Sequence, residues 1–213
     1  MPEEHIIATA SPVRHRLLDG LLAATLCVMA GTVTHQAIRI ISADWSSSTA
    51  RLDITRWASG VQTYEEADWQ RAHGELTRAL ALTPADATLH DAMTQLYSLQ
   101  GQALWTLGEA GSPEVEAYGI ALKHQLESIK LRPTHAQAWA NLSLLHYAVN
   151  DPADTLFAAW REAARLGPKE EDVENTLVRV AGDTWSIAPA DVRAWVEERR
   201  PGFTKQMEPQ PAN

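Results

Sequence analysis

The apolar positions of this chain fall into two different patterns. Residues 20–34 (GLLAATLCVMAGTVT) carry no charge, and extension to Leu17 and Ile38 gives about 22 residues whose one charge, Asp19, lies near the end. A helix of that length crosses about 30 Å of hydrocarbon. No polar stripe interrupts residues 20–31, as one would in an amphipathic helix of a soluble protein. The pattern therefore predicts a transmembrane helix over 17–41, bracketed by Arg16 and Arg39, after a short N-terminal segment at 1–16. A cleavable signal peptide is the competing reading, because Arg14, His15 and Arg16 form a basic lead. No clean small-x-small cleavage site follows, since Ile38 is preceded by His35, Gln36 and Ala37. A buried soluble helix is a third reading. The serine-rich stretch 42–52 reads as a linker rising from the membrane.

From residue 53 onward the apolar positions recur at helical spacing, and three segments end alike: RALALTP (78–84), ESIKLRP (127–133) and EAARLGP (162–168). Proline lacks the amide donor and clashes with the preceding turn, so each helix stops at the same phase. Reading backwards from each proline recovers a helix–turn–helix unit. The first holds Trp69, Ala72, Leu76 and Ala79; the second Leu96, Tyr97, Gly101, Tyr118 and Ala121; the third Trp139, Leu142, Trp160 and Ala163. The second unit carries extra residues around 102–116, where a loop at Gly108–Gly111 leads to Ser112 and Pro113 as cap and first-turn proline. After Pro168, helices at Glu170–Ala181 and from Asp191 to Arg200 read as caps over the open end, with Val192, Trp195 and Val196 as a buried stripe. Residues 202–213 read as a disordered tail.

These units resemble the tetratricopeptide (TPR) repeat, with small residues where two helices approach, aromatics filling the gap to the next unit, and a terminal proline. The resemblance covers about 53–168 and implies an all-α fold: a right-handed solenoid of about three hairpins (53–86, 87–135 and 136–168) that stack because one alone cannot bury its apolar face. Gln125 and Ser128 depart from the pattern, standing where a large apolar residue and alanine are usual. By repeat phase, Trp57, Tyr64, Asp91, Gln95, Leu144 and Tyr147 fall on the groove-lining face, a candidate protein-binding groove. The carboxylate-clamp class of these repeats uses Lys, Asn and Arg there; Trp57, Asp91 and Ala140 at the matching positions disfavour binding of chaperone tails.

Charge narrows the partners. The formal net charge is −9; residues 1–39 are balanced, so the whole excess lies in 40–213. An acidic domain is a poor match for nucleic-acid phosphates or an anionic lipid surface. Candidate chemistry is sparse. The eight histidines include no pair at i, i+4 and no H-E-x-x-H. Cys27, the one cysteine, lies in the apolar span, away from the electropositive setting a nucleophile needs. Glu65-Glu66 and Glu170-Glu171-Asp172 are sequence neighbours, which do not face one another on a helix. Asn141-Leu142-Ser143 is a glycosylation sequon inside a helix. No catalytic, cofactor or metal site is expected. The expectation is a non-catalytic adaptor that holds membrane-embedded or periplasmic proteins at a bacterial inner membrane, single-pass, with its C-terminal domain in the periplasm. The plan also resembles small bacterial proteins associated with polysaccharide synthesis and export, on the strength of the anchor-plus-repeat architecture and of W-S-I-A-P (185–189) before a helix. The alternatives are an assembly factor for a secretion, pilus or cytochrome-maturation complex and, in another class, an enzyme acting on glycan.

Overall fold

The computed structural model describes residues 12–107 and 111–207; the expectations for 1–11, for the loop residues 108–110 and for the tail beyond 207 lie outside the described residues. Every regular element among the described residues is helical. In order these are α1 (Pro12–Ala58), α2 (Glu66–Leu82), α3 (Ala87–Thr106), α4 (Ser112–Leu131), α5 (Ala136–Ala148), α6 (Ala153–Leu166), α7 (Glu171–Asp183), α8 (Ala190–Arg199) and α9 (Phe203–Met207).

α1 is 47 residues long, about 70 Å at 1.5 Å per residue. Residues 19–38 are all exposed, and the helix is long and apolar enough to cross a membrane. The linker expected at 42–52 is not there: those residues continue the same helix. Two features explain this. Ser46, Ser47 and Ser48 donate their hydroxyls to carbonyls three or four residues back instead of opening the backbone. Ala43, Ser47, Ala50, Ile54 and Trp57, spaced alternately by three and four, are buried against α2 and α3. Packing of that stripe overrides a weak local propensity. Arg39, the first half-buried residue, donates to the Leu82 carbonyl at the C-terminus of α2, where a cation also offsets the exposed carbonyl dipoles.

Helices pack most extensively in consecutive pairs, α1 with α2, α3 with α4 and α5 with α6; α1 also meets α3, and α5 meets α7. The same turn closes α2, α4 and α6. Thr83, Arg132 and Gly167 each donate a backbone N–H to the carbonyl four residues back at 2.9 Å. Each then leaves the helix at ψ 71°, 71° and 55°, the extended bias imposed by the following proline. The turn recurs a fourth time at Arg200-Pro201, ψ 75°, so part of the expected tail is ordered: α9 starts there and Phe203 packs on Trp185. α1 and α5 end differently. Gly60 (φ 70°) and Asn150 (φ 57°) take the left-handed conformation, and the next residue's N–H reaches back five residues to Arg56 O and His146 O, a Schellman closure.

The core has two main parts. One joins α1, α2 and α3 around Ile54, Trp69, Leu76 and Leu96; the other joins α5 to α8 around Phe157, Trp160, Leu177 and Val192. A tryptophan hooks two of the three second helices to the helix that follows: Trp69 of α2 donates its indole N–H to Leu96 O of α3 (3.2 Å), and Trp160 of α6 donates to Leu177 O of α7 (2.9 Å). Between these parts, the α3/α4 pair is held by polar contacts. Gln125 and Ser128, both fully buried, turn with Arg132 toward the Asp91 carboxylate. These two polar side chains are thus held in the interior by a shared acceptor, while Gln125 Oε1 has no partner.

Candidate functional site

The first helices of successive pairs line one concave groove of about 1050 Å³. α3 contributes Asp91, Gln95, Ser98, Gln102 and Trp105, one face of a helix at three- and four-residue spacing. α5 contributes Gln137, Asn141, Leu144 and Ala148, with Tyr147 at the rim, and α7 contributes Asp172, Arg179 and Asp183. Tyr118 enters from α4, its ring seated on Gly101 of α3. A Cβ built at Gly101 would lie 2.8 Å from that ring, so the glycine permits the close approach of α3 and α4.

Four of the six residues expected in a groove line this one: Asp91, Gln95, Leu144 and Tyr147. Trp57 and Tyr64 do not. Trp57 is 5% exposed within the α1/α2/α3 core, its ring 4.9 Å from that of Tyr64, and Tyr64 donates its hydroxyl to Leu99 O at 3.0 Å. Together they fasten the 59–65 turn onto α3. The displacement is physical: Gly60 turns the chain immediately after Trp57, so that end of α1 is covered by its own turn. Trp105, Gln102, Gln137 and the α7 residues were missed. The α3 members follow from helical spacing, whereas those on α7 carry no signal in the sequence, where that helix reads only as a cap.

The groove surface is amide-rich and acidic. Gln95, Gln102, Gln137, Asn141 and Asn150 offer paired donors and acceptors. Glu114, Asp172 and Asp183 outnumber Arg179, while Asp91 is engaged by Arg132. Trp105 is 63% exposed and Tyr147 43%. Gln137 is fixed by Asn141 (2.9 Å) and by Thr176 of α7 (3.3 Å), which ties α5 to α7 along the floor. Burial, with Glu114 nearby, pushes the Tyr118 phenol up, so it remains a neutral donor.

A second polar cluster crosses from the first pair to the second. His73 of α2 stacks on Trp69 and meets the Tyr97 hydroxyl at 3.0 Å. Tyr97 in turn stacks near His124 of α4, whose Nδ1 lies 3.0 Å from Nδ1 of His90. His90 Nε2 faces the Pro84 carbonyl at 3.1 Å; a neutral His90 thus keeps its proton there and accepts from His124. Burial, then the neighbouring His90 and His73, push His124 down to about 4, and burial lowers His73. Among the described residues no group of three His, Cys, Asp or Glu side chains is placed to hold a metal ion.

No protein-family model matches the chain, and no curated protein matches it. What the fold itself defines is an all-helical protein with one long apolar N-terminal helix that continues without a break into the packed helices.

Proposed function

We propose that the chain is a single-pass, membrane-anchored adaptor whose TPR-like hairpins hold a segment of another envelope protein in the concave groove. The groove built from α3, α5 and α7 carries this reading: it is lined by amides that suit an extended main chain and flanked by exposed Trp105 and Tyr147 as apolar anchors. The repeating X-Pro turn supports the TPR-like reading of the hairpins. The acidic balance of the groove favours a segment that is uncharged or basic. In this reading the N-terminal side of the span faces the cell interior, the helical domain lies in the periplasm, and the partner class is a membrane-embedded synthase, ligase or exporter of polysaccharide.

The test is site-specific photocrosslinking in cells from Gln102 in the groove, with Lys123 on an exposed surface as control, and mass spectrometry of the adducts. Adducts from Gln102 alone, lost in Trp105→Ala and Tyr147→Ala variants of unchanged helicity, are expected. Capture that survives both changes refutes the groove. Secretion or pilus components in place of polysaccharide machinery leave the adaptor reading standing and overturn the pathway.

A further inference from the structure

The face of α1 that points away from its own domain has a seam of its own. Ile38, Ile41, Trp45 and Leu52 are 59%, 66%, 84% and 52% exposed. With Ser48 they follow the alternating three–four spacing of a two-helix contact. At 3.6 residues per turn this seam is about 180° around the helix from the stripe buried against α2 and α3.

The same line continues down into the apolar span through Thr34, Gly31 and Cys27, where its side chains become small. The large apolar residues between Gly20 and Thr34, which are Leu21, Leu22, Leu26, Val28, Met29 and Val33, are spread over the rest of the helix surface and leave this line to small side chains. A surface that only met lipid would have no reason to segregate them. A helix pair does: in hydrocarbon, where no hydrophobic effect drives association, small residues allow close approach, whereas in water bulky apolar residues drive it. The change from small to large begins at Ile38, in the last turn of the span, and continues alongside the packed domain to Leu52.

We propose that α1 pairs in parallel with α1 of a second copy of this chain, along the Cys27–Leu52 seam. The occupant must be a helix that leaves the bilayer alongside this one and runs on unbroken for several turns, as α1 itself does. The seam carries no charge between Gly20 and Leu52, so two copies of an acidic chain meet there without repulsion; Asp44 and Arg51 pair with each other on the flank. The domain packs on the opposite face, which leaves both copies room. The four large side chains present on the order of 500 Å² per copy, at most about 1,000 Å² for a pair, less than a standard stable interface buries, so the close packing of small residues inside the span has to supply the rest.

Full-length protein reconstituted in lipid vesicles tests this by oxidative crosslinking. Native Cys27 is a seam position, and disulfide-linked dimer is expected from the unaltered chain. In a Cys27→Ala background, Ile41→Cys, Ser48→Cys and Leu52→Cys are expected to give dimer that persists when lipid is added in excess. Ile40→Cys and Asp44→Cys, which lie off the seam, are expected to lose it. Equal yield at all positions, loss of yield on lipid dilution, or no dimer at 48 and 52 overturns the pairing. Ser48→Cys adds little bulk and guards against failure through misfolding.

Discussion

Acid should loosen the junction between the first two helix pairs, and His124 should be the main cause. An unfolded histidine titrates near 6.5, whereas His124 in the fold titrates at about 4. Between those values the unfolded chain binds more protons than the folded one, so stability rises with pH and is lost as pH falls from about 6.5 toward 4. The difference sets a ceiling of about 3 kcal/mol, which partial solvent access reduces to about 2 kcal/mol. Burial is the largest cause of the direction, followed by repulsion from His90 of α3 and His73 of α2; Tyr97 contributes only its neutral ring, and Glu127 of α4 opposes the effect weakly from solvent. The perturbation is His124→Gln, which keeps a hydrogen-bonding group toward His90 and removes the titration. Full-length protein in detergent would be unfolded with urea at pH 7.5, 6.0 and 4.5, followed by tryptophan fluorescence, since Trp69 belongs to this cluster. The unaltered chain should lose about 2 kcal/mol more than the variant across that range. Parallel losses in the two proteins would rule out His124 as the cause, because the carboxylates that titrate over the same range are common to both.

Two further outcomes follow from close contacts. A Cβ at Gly167 would lie 2.6 Å from the Ala136 Cβ and 3.2 Å from Val173 Cγ2, while its φ of −119° suits any residue. Gly167→Ala should therefore destabilise by about 1–3 kcal/mol through crowding alone, and a double-mutant cycle with Ala136→Gly should recover part of it; additive losses would place the cause elsewhere. Asp91→Ala removes the acceptor shared by Ser128, Gln125 and Arg132 and should cost about 2 kcal/mol in urea denaturation; a stability unchanged within error would show that the cluster contributes nothing net.

The helical class, the apolar run of α1 and the stops of α2, α4 and α6 before Pro84, Pro133 and Pro168 can be read from the sequence. Those are local properties. A long uncharged apolar run reads as helix from its own residues, and a proline past the first turn ends a helix by removing an amide donor, which is why the turns at Pro84, Pro133 and Pro168 were legible residue by residue. The polar exceptions Gln125 and Ser128 were legible too, but only as exceptions. Their partner Asp91 lies 34 and 37 residues away in the chain, and no local pattern links them. Tertiary structure alone decided three matters. It kept 42–52 helical, because burial of Ala43, Ser47, Ala50, Ile54 and Trp57 outweighs what a run of serines suggests in isolation. It moved Trp57 and Tyr64 from groove to core, because the turn at Gly60 folds back over them. It also brought α7 onto α5, so that Asp172, Arg179 and Asp183 extend the groove. Each depends on which surfaces meet across long stretches of chain, and periodicity along one helix carries no information about what covers it.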